Sequence, residues 1–375
     1  MQDFHEIKEY TEDAVNLLKE MIAIPSVSFN EDEVCTHICN WLAQKNIHYK
    51  RVGCNIICEH IVSPDSPTLM LCAHIDTVSA SDDYDFDPFT PDYFKAAEVI
   101  GKMTETKISE EDIIAGLGSN DDGASVVSMI AAFRYLRDNS KYSIPNLMLV
   151  LTCEEERSGK NGMTGLWDRL AEKVDYAIIG EPTGMQAATS ERGLLVIDAS
   201  AHGVSGHAAR NEGVNAIYIA MEDIDKLRTH HFSRISPRMG EVNLNVTQII
   251  AGTAHNVIPD NCSFVIDIRP TEQYTNEEIL KELRSVCQSE LNARNLSNVS
   301  SATYEGSPLA EALGRMGITS YSSPTTSDWM RIGCDAIKMG PGDSARSHRK
   351  NEFVFVKEIE EGISTYIEFI ESLQI

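Results

Sequence analysis

Acidic and imidazole side chains recur in this sequence directly after runs of apolar residues. His74-Ile75-Asp76 follows TLMLCA, Glu154-Glu155-Glu156 follows NLMLVLTC, and Glu181 follows DYAIIG. Asn120-Asp121-Asp122-Gly123 opens a helical stretch, and His348 comes shortly after AIKMGPG. Taken singly, each has an ordinary explanation, because a lone histidine is commonly structural and a run such as EEE is commonly solvated. Taken together they resist that explanation. Carboxylates gathered at the end of a buried sheet repel one another and lose hydration unless a cation neutralises them. Imidazole nitrogen mixed with carboxylate oxygen is the donor set that hydrolytic zinc uses. The chemistry that fits these residue types is metal-assisted hydrolysis.

The segments that carry these groups predict an α/β frame. TEDAVNLLKEMIAI reads as an amphipathic helix that breaks at Pro25. The apolar runs starting at Thr68, Asn146 and Asp175 fit strands buried on both faces of a parallel or mixed sheet. DDGASVVSMIAAFRYLRDN is apolar nearly all round, as befits a helix packed in a large core. KEIEEGISTYIEFIESLQI puts Ile359, Ile363, Ile367 and Ile370 on one helical face. Helices on both sides of a sheet follow, with ligands expected in the crevice outside the carboxyl ends of the strands. The middle of the chain differs. RGLLVIDASAHG, EVNLNVTQII and CSFVIDIRP read as strands interleaved with the helical stretches NAIYIAMEDIDKLR and NEEILKELRSVCQSE. The expected organisation is a discontinuous domain, 1–186 and 303–375, into which a small α+β domain, 187–302, is inserted. The polar stretch from Ala80 to Ile114 reads either as a border of the site or as a solvated excursion.

Composition narrows the function further. A chain of 375 residues is too long for one compact core. A formal net charge of -25 repels nucleic-acid phosphates and argues against such a partner. No apolar run is long enough to span a bilayer, and MQDFHEIKEY has neither a basic n-region nor an apolar h-region, so the expected compartment is the cytoplasm, with no membrane partner. Nine cysteines, an odd number without a secretion signal, point to reduced thiols. Cys35 and Cys39 share a helical face and Cys54 and Cys58 bracket the strand-like CNIIC, where free cysteine acts as a small hydrophobe.

The same residues resemble the motifs of a known family: the di-zinc aminoacylases and exopeptidases, which include acetylornithine deacetylase, succinyl-diaminopimelate desuccinylase and carboxypeptidase G. The resemblance covers essentially the whole chain. AHIDTV is similar to the family's H-x-D-[TV]-V, GLGSNDDG to G-R-G-x-x-D-x-x-G, and EEERSG to D-E-E-x-x-G, while GEPT and GPGDSARSH supply the remaining positions. It implies a zinc-exopeptidase-like mixed sheet flanked by helices, with an inserted dimerisation (lid) domain. It implies two zinc ions per subunit, for which cobalt or manganese can substitute. His74, Asp121 and Glu181 would hold one ion, and Asp121, Glu156 and His348 the other. Asp76 would orient the His74 ring and Glu155 would be the general base. HGVSGHAAR resembles the family's G-x-x-G-H motif, which implies that His207 reaches into the partner subunit's site as an oxyanion group, and hence a homodimer through the inserted domain. GTAHNVIPD and DIRP resemble motifs that make Asn256 and Arg269 substrate contacts, with Gly342 beside them. A turn residue for Asn256 and a strand-end ion pair for Arg269 remain the alternatives read from the residues alone.

Within that family, the Gly340-Pro341-Gly342 run resembles the acetylornithine deacetylase branch. That implies a small N-acyl amino acid as substrate, N-acetyl- or N-succinyl-ornithine or citrulline, in arginine biosynthesis. A dipeptidase, another aminoacylase or a succinyl-diaminopimelate desuccinylase shares the same centre. A non-catalytic, metal-stabilised homologue would be expected to have lost the base or a ligand, and here all are present. The departures are Leu117 in place of the Arg of G-R-G, Asp122 after the bridging position, Glu154 as the first acid of its motif, and the long excursion before Gly116. They bear on the pocket and its access rather than on the ligands.

Overall fold

The computed structural model of the chain describes residues 4–139, 144–210 and 212–375. They fall into two units: the first comprises the chain up to Thr189 with Thr303–Tyr321 and Ser327–Ile375, the second Ser190–Ala302 with Ser322–Thr326. The first unit begins with α1 (Phe4–Ile22), α2 (Asp32–Gln44), β1 (Lys50–Val52), β2 (Asn55–His60), β3 (Thr68–His74), α3 (Tyr93–Thr104), β4 (Ile113–Ala115) and α4 (Gly123–Asn139). It continues through β5 (Asn146–Thr152), α5 (Met163–Leu170), β6 (Tyr176–Ile179) and β7 (Ala187–Glu191). Next come β8 (Leu195–His202), β9 (Gly206–His207), α6 (Ala216–Arg228), β10 (Asn243–Ala251), β11 (Val257–Ile258), β12 (Asn261–Arg269), α7 (Asn276–Val286), β13 (Glu290–Ala293) and β14 (Ser301–Ala302). The chain closes with α8 (Pro308–Met316), β15 (Ser320–Ser323), β16 (Asp335–Lys338), β17 (Phe353–Phe355) and α9 (Val356–Ser372).

In the first unit the sheet runs β1-β2-β5-β3-β6-β16-β7. The β5-β3-β6-β16 centre is parallel, while β1 and β2 at one end and β7 at the other are antiparallel. Every residue of β3 and β5 is buried. Successive strand residues point to opposite faces, and β3 divides accordingly. Leu69, Leu71 and Ala73 join the core formed with α1, α4 and α9, whereas Met70 and Cys72 join a second core with α5 and Trp329. Cover on both faces is why these strands read as unbroken apolar runs. In α9 the isoleucine stripe, Ile359, Ile363, Ile367 and Ile370, is fully buried. α4 has no polar face to offer: Gly123 through Phe133 are all buried between β3 and the helices α1 and α9. Its first residue must be glycine, since a Cβ at Gly123 would lie 2.4 Å from the Gly118 carbonyl oxygen and 2.6 Å from Leu18.

The stretch from Ala80 to Ile114 is neither featureless nor fully solvated. It contains α3, capped by the Asp92 carboxylate on the N–H groups of Phe94 and Lys95, and ends in β4, which pairs with β17. Phe86, Ala96, Ala97, Ile100, Ile113, Ala115 and Phe353 form a small core of their own. α3 buries only Ala96, Ala97 and Ile100 among its residues, so its apolar face is too thin to stand out in the sequence.

The second unit is an antiparallel sheet, β10-β12-β8-β13, with α6 and α7 contributing to a core on one face. Here burial alternates along β8 and β12, as expected when one face is packed and the other is open. A capping box of Thr275 and Glu278 starts α7. β10 is an edge strand, and Ile249 and Ile250 on it are 53% and 72% exposed. Among the described residues no helix is long and apolar enough to cross a membrane.

Candidate metal centre

β5, β3 and β6 are parallel neighbours, so their carboxyl ends open on the same side. His74 is the last residue of β3, Glu155 and Glu156 follow β5, and Glu181 follows β6. Asp121 arrives from the loop before α4, and His348 from the segment between β16 and β17. Ligand atoms of His74, Glu155 and Glu181 lie within 4.8 Å of one another, and so do those of His74, Asp121 and Glu156. His74 Nε2 is 3.2 Å from Asp121 Oδ1. His348 Nε2 is 2.9 Å from Glu156 Oε1 and 3.6 Å from Asp121 Oδ2. His74, Asp121, Glu155, Glu156, Glu181 and His348 thus share one cluster, although they are scattered along the chain.

The turn after β5 gives three consecutive glutamates three different surroundings. The strand ends at Thr152 and Glu154 takes a left-handed conformation, φ 59°. Glu154 accepts from the Asn161 backbone and side-chain amides, at 3.1 and 2.6 Å. Glu155 faces His74 and Glu181, and Glu156 faces His348. Two buried carboxylates brace this turn from behind. Glu31 accepts from the Glu154 N–H at 3.0 Å, and Asp76 from the N–H groups of Glu155 and Glu156 at 3.0 and 3.2 Å. Asp76 also accepts from the Ser28 hydroxyl at 2.7 Å. Its carboxylate also stays beside the His74 ring. Nδ1 of His74 lies 2.9 Å from the Asp76 main-chain carbonyl but 3.5 Å from the carboxylate. With Nδ1–H donated to that carbonyl, the lone pair of Nε2 is left for a cation on the side of Asp121.

Known proteins resemble both units of the chain. Residues 189–295 match the M20 peptidase dimerisation domain, and residues 55–179 match peptidase family M28. A peptidase M20 domain-containing protein of Schizosaccharomyces pombe is 26% identical over 94% of this chain and 82% of its own. An acetylornithine deacetylase of Proteus mirabilis is 27% identical over 92% of this chain and 93% of its own. The chain is a metal-dependent amidohydrolase that resembles the M20 peptidases over nearly its whole length. Other relatives of this amidohydrolase, from Psychromonas ingrahamii and Corynebacterium glutamicum, are named succinyl-diaminopimelate desuccinylase, at 26% and 24% identity. The fold is shared with the aminopeptidase PepT of Bacillus cereus (TM-score 0.73, 20% identity, 96% of this chain and 98% of that one). It is shared also with the YXEP protein of Bacillus subtilis, described as a dinuclear metal binding peptidase from the M20 family (TM-score 0.70, 17% identity, 97% and 98%).

The electrostatics of the amidohydrolase's cluster all lean one way. Burial, reinforced by neighbouring carboxylates, pushes Glu155 and Glu181 well above the usual carboxylate range. Burial opposes a charge on His74, but the carboxylates of Asp121 and Asp76 outweigh it and raise the imidazole well above its ordinary value. The hydrogen bond to Glu156 raises His348 to about 9. Asp121 is buried too, yet His74 beside it holds its carboxyl low. Each shift expresses a demand for positive charge among crowded carboxylates. Such a donor set, rich in carboxylate oxygen with two imidazoles, fits a pair of divalent cations.

Three residues around the centre escaped the sequence. Glu352 is buried and accepts from the main-chain N–H groups of Gly118, Asn120 and Asp121, each at 2.9 Å. Burial nonetheless raises its carboxyl to about 8. Asp328 accepts from the Thr152 hydroxyl at 2.7 Å and is raised to about 6 by burial. Glu31 is the third. None follows a buried apolar strand, the pattern that marks the others. In the second unit, His207 pairs with Val257 on the β9–β11 ribbon, and the next residue, Ala208, donates its N–H to the Asn256 carbonyl at 3.1 Å. The His207 ring is exposed, and its Nδ1 accepts from the Ala209 N–H at 3.2 Å. Arg269 ends β12 with its guanidinium on the Asp267 carboxylate, at 2.9 and 3.2 Å. This is the strand-end ion pair that the residues alone allowed. Gly342, in the first unit, has φ 87°, and a Cβ there would come 2.4 Å from Asn120 Oδ1.

Proposed function

We propose that the protein hydrolyses the amide bond of an N-acyl amino acid, with two zinc ions per subunit, replaceable by cobalt or manganese, and Glu155 as general base. One ion would be held by His74, Asp121 and Glu181, the other by Asp121, Glu156 and His348. The observation that carries this reading is the Glu155 carboxyl: it lies among the donor atoms of His74 and Glu181, and burial pushes it well upward, as suits a group that takes and returns a proton. Divalent cations held there would polarise the scissile carbonyl and acidify an attacking water. Glu155 accepts the proton of that water and delivers it to the leaving amine nitrogen. Asp76, through its bonds to the Glu155 and Glu156 N–H groups, keeps base and ligand on their separate sides.

His207 is proposed to polarise the same carbonyl in the site of a second subunit. The exposed apolar residues Ile249 and Ile250 on edge strand β10, with Tyr218 and Met221 on α6, support a homodimer through this unit. Arg269, on leaving Asp267, would pair with the substrate carboxylate, and Asn256 and Gly342 would contact the substrate. The preferred substrate is N-acetyl- or N-succinyl-ornithine or citrulline, in arginine biosynthesis in the cytoplasm. It is supported by the Gly340-Pro341-Gly342 run and by the Proteus mirabilis relative. A desuccinylase or dipeptidase with the same centre is the second reading, supported by the relatives named desuccinylase. Assaying the zinc-loaded protein against N-acetylornithine, N-succinylornithine, succinyl-diaminopimelate and a dipeptide panel separates them. Highest kcat/KM on N-acylornithines is expected, and turnover of dipeptides alone would reject the preferred substrate.

A further inference from the structure

We infer that Glu352 is the positioning residue that sets Asp121 against His348, so that two ligands from distant segments serve one ion. The inference rests on the proposed metal centre. The Glu352 carboxylate is spent on the loop that carries Asp121. Oε1 accepts from the N–H groups of Asn120 and Asp121, and Oε2 from that of Gly118, all at 2.9 Å. The Glu352 carbonyl accepts from the Gly116 N–H, also at 2.9 Å. The loop is therefore held at both ends by one residue, which stands just past His348 in the chain. On the other side of His348, the Asn120 side chain donates to the Asp343 carbonyl at 3.1 Å and accepts from the Asp343 N–H at 2.9 Å. Between these two ties His348 adopts φ 57° and Asn351 φ 59°, left-handed conformations that a free loop would seldom keep.

A third tie comes from outside. The Asn351 side chain donates to Asp85 Oδ2 at 2.6 Å and accepts from the Asp85 N–H at 2.8 Å. Tyr84 donates its hydroxyl to the Arg349 carbonyl at 3.2 Å. The long excursion before Gly116 thereby backs the segment that presents His348. Burying a carboxylate against main-chain N–H groups is an expensive way to fill space. It is an effective way to fix a loop, because its two oxygens accept from three N–H groups at once. Groups that orient ligands in this manner are commonly worth a factor of roughly 10–100 in metal affinity.

Glu352→Gln tests this with little change of volume. An amide keeps one acceptor oxygen and turns an NH2 donor toward an N–H donor, so the loop loses at least one tie. Titrate the metal-free protein with Co2+ and follow both stoichiometry and the visible absorption spectrum. The wild type should take up two equivalents. In Glu352→Gln the weaker equivalent should bind about 10–100-fold less tightly, with a changed spectrum. Two equivalents bound as in wild type, with only a lower melting temperature of the metal-free protein, would overturn the inference. Asp85→Ala, at an exposed position, provides a second variant should Glu352→Gln fail to fold: it should weaken the same equivalent by a smaller factor, and an unchanged titration would count against the inference. A wild type that binds fewer than two ions removes the proposed centre itself, and the positioning role falls with it.

Discussion

Asp223 and Glu155 are buried or nearly buried carboxylates in different units, and their surroundings push them in opposite directions from the ordinary carboxylate range. Asp223, on α6, receives the Gln288 N–H, the Ser289 N–H and the Ser289 hydroxyl, with Lys226 Nζ 3.1 Å away. Burial works against its charge, but these donors win and hold its carboxyl below the ordinary range. Glu155 is surrounded instead by Asp328, Glu156 and Asp76, with His74 pulling the other way, and burial drives it far up. Burial by itself therefore does not make a functional acid. What distinguishes the first unit is that its strand-end carboxylates are not supplied with protein cations in proportion to their number. The same contrast runs through the sheets. The second unit neutralises its acids locally on an open face, as in Arg294–Asp198 and Arg269–Asp267. The first unit concentrates them where both faces of the sheet are covered.

The largest effect should come from removing metal. Dialysis against a chelator is expected to abolish hydrolysis, and zinc, cobalt or manganese to restore it; full activity of protein shown to be metal-free would erase the contrast between the two units. Next, Glu155→Gln should lower kcat by about 10²–10⁴-fold or more while two ions stay bound. Loss of both ions in that variant would make Glu155 a ligand instead of a base. Asp223→Ala should act on the other side of the comparison. Leaving several buried donors without an acceptor should cost about 2–4 kcal/mol of stability in a denaturant titration. Metal content should not change, and a metal-deficient Asp223→Ala protein would mean that the two units are not separable in this way.

The smallest effect is in the pH dependence of the metal-free protein, where the two regions have opposite signs. His348 is raised to about 9 by Glu156. The stabilisation from that pair is complete below the ordinary imidazole value near 6.5 and is lost as pH rises through about 9. Asp223 is lowered. Its contribution is present above the ordinary carboxylate value near 3.8 and is lost as pH falls through the lower folded value. Melting temperatures of metal-free wild type, His348→Ala and Asp223→Asn across pH should flatten the alkaline limb in the first variant and the acid limb in the second. A parallel shift of both limbs in either variant would contradict these assignments.

Much of this was legible in the sequence because of where the apolar residues fall. β3 and β5 announce themselves because side chains on both faces are buried, and the acids at their ends stand out against that background. The isoleucine stripe of α9 was legible for the same reason. α3 was not, because alanines at its buried positions carry little pattern. Glu352 and Glu31 were not, because their partners are main-chain N–H groups, which have no residue type to search for. Asp76 was noticed as a neighbour of His74, but not that its carboxylate also accepts from the amides of the Glu155–Glu156 turn, a consequence of how the chain bends after β5. The spacing of motifs tells which residues meet; it does not tell which atoms of them do the holding.

Anomalous diffraction at the zinc absorption edge, from crystals of zinc-loaded protein, tests the central claim most directly. Two peaks roughly 3.5–4 Å apart are predicted, one beside His74 and Glu181, one beside Glu156 and His348, with Asp121 between them. A single peak, or zinc bound away from these residues, would contradict it.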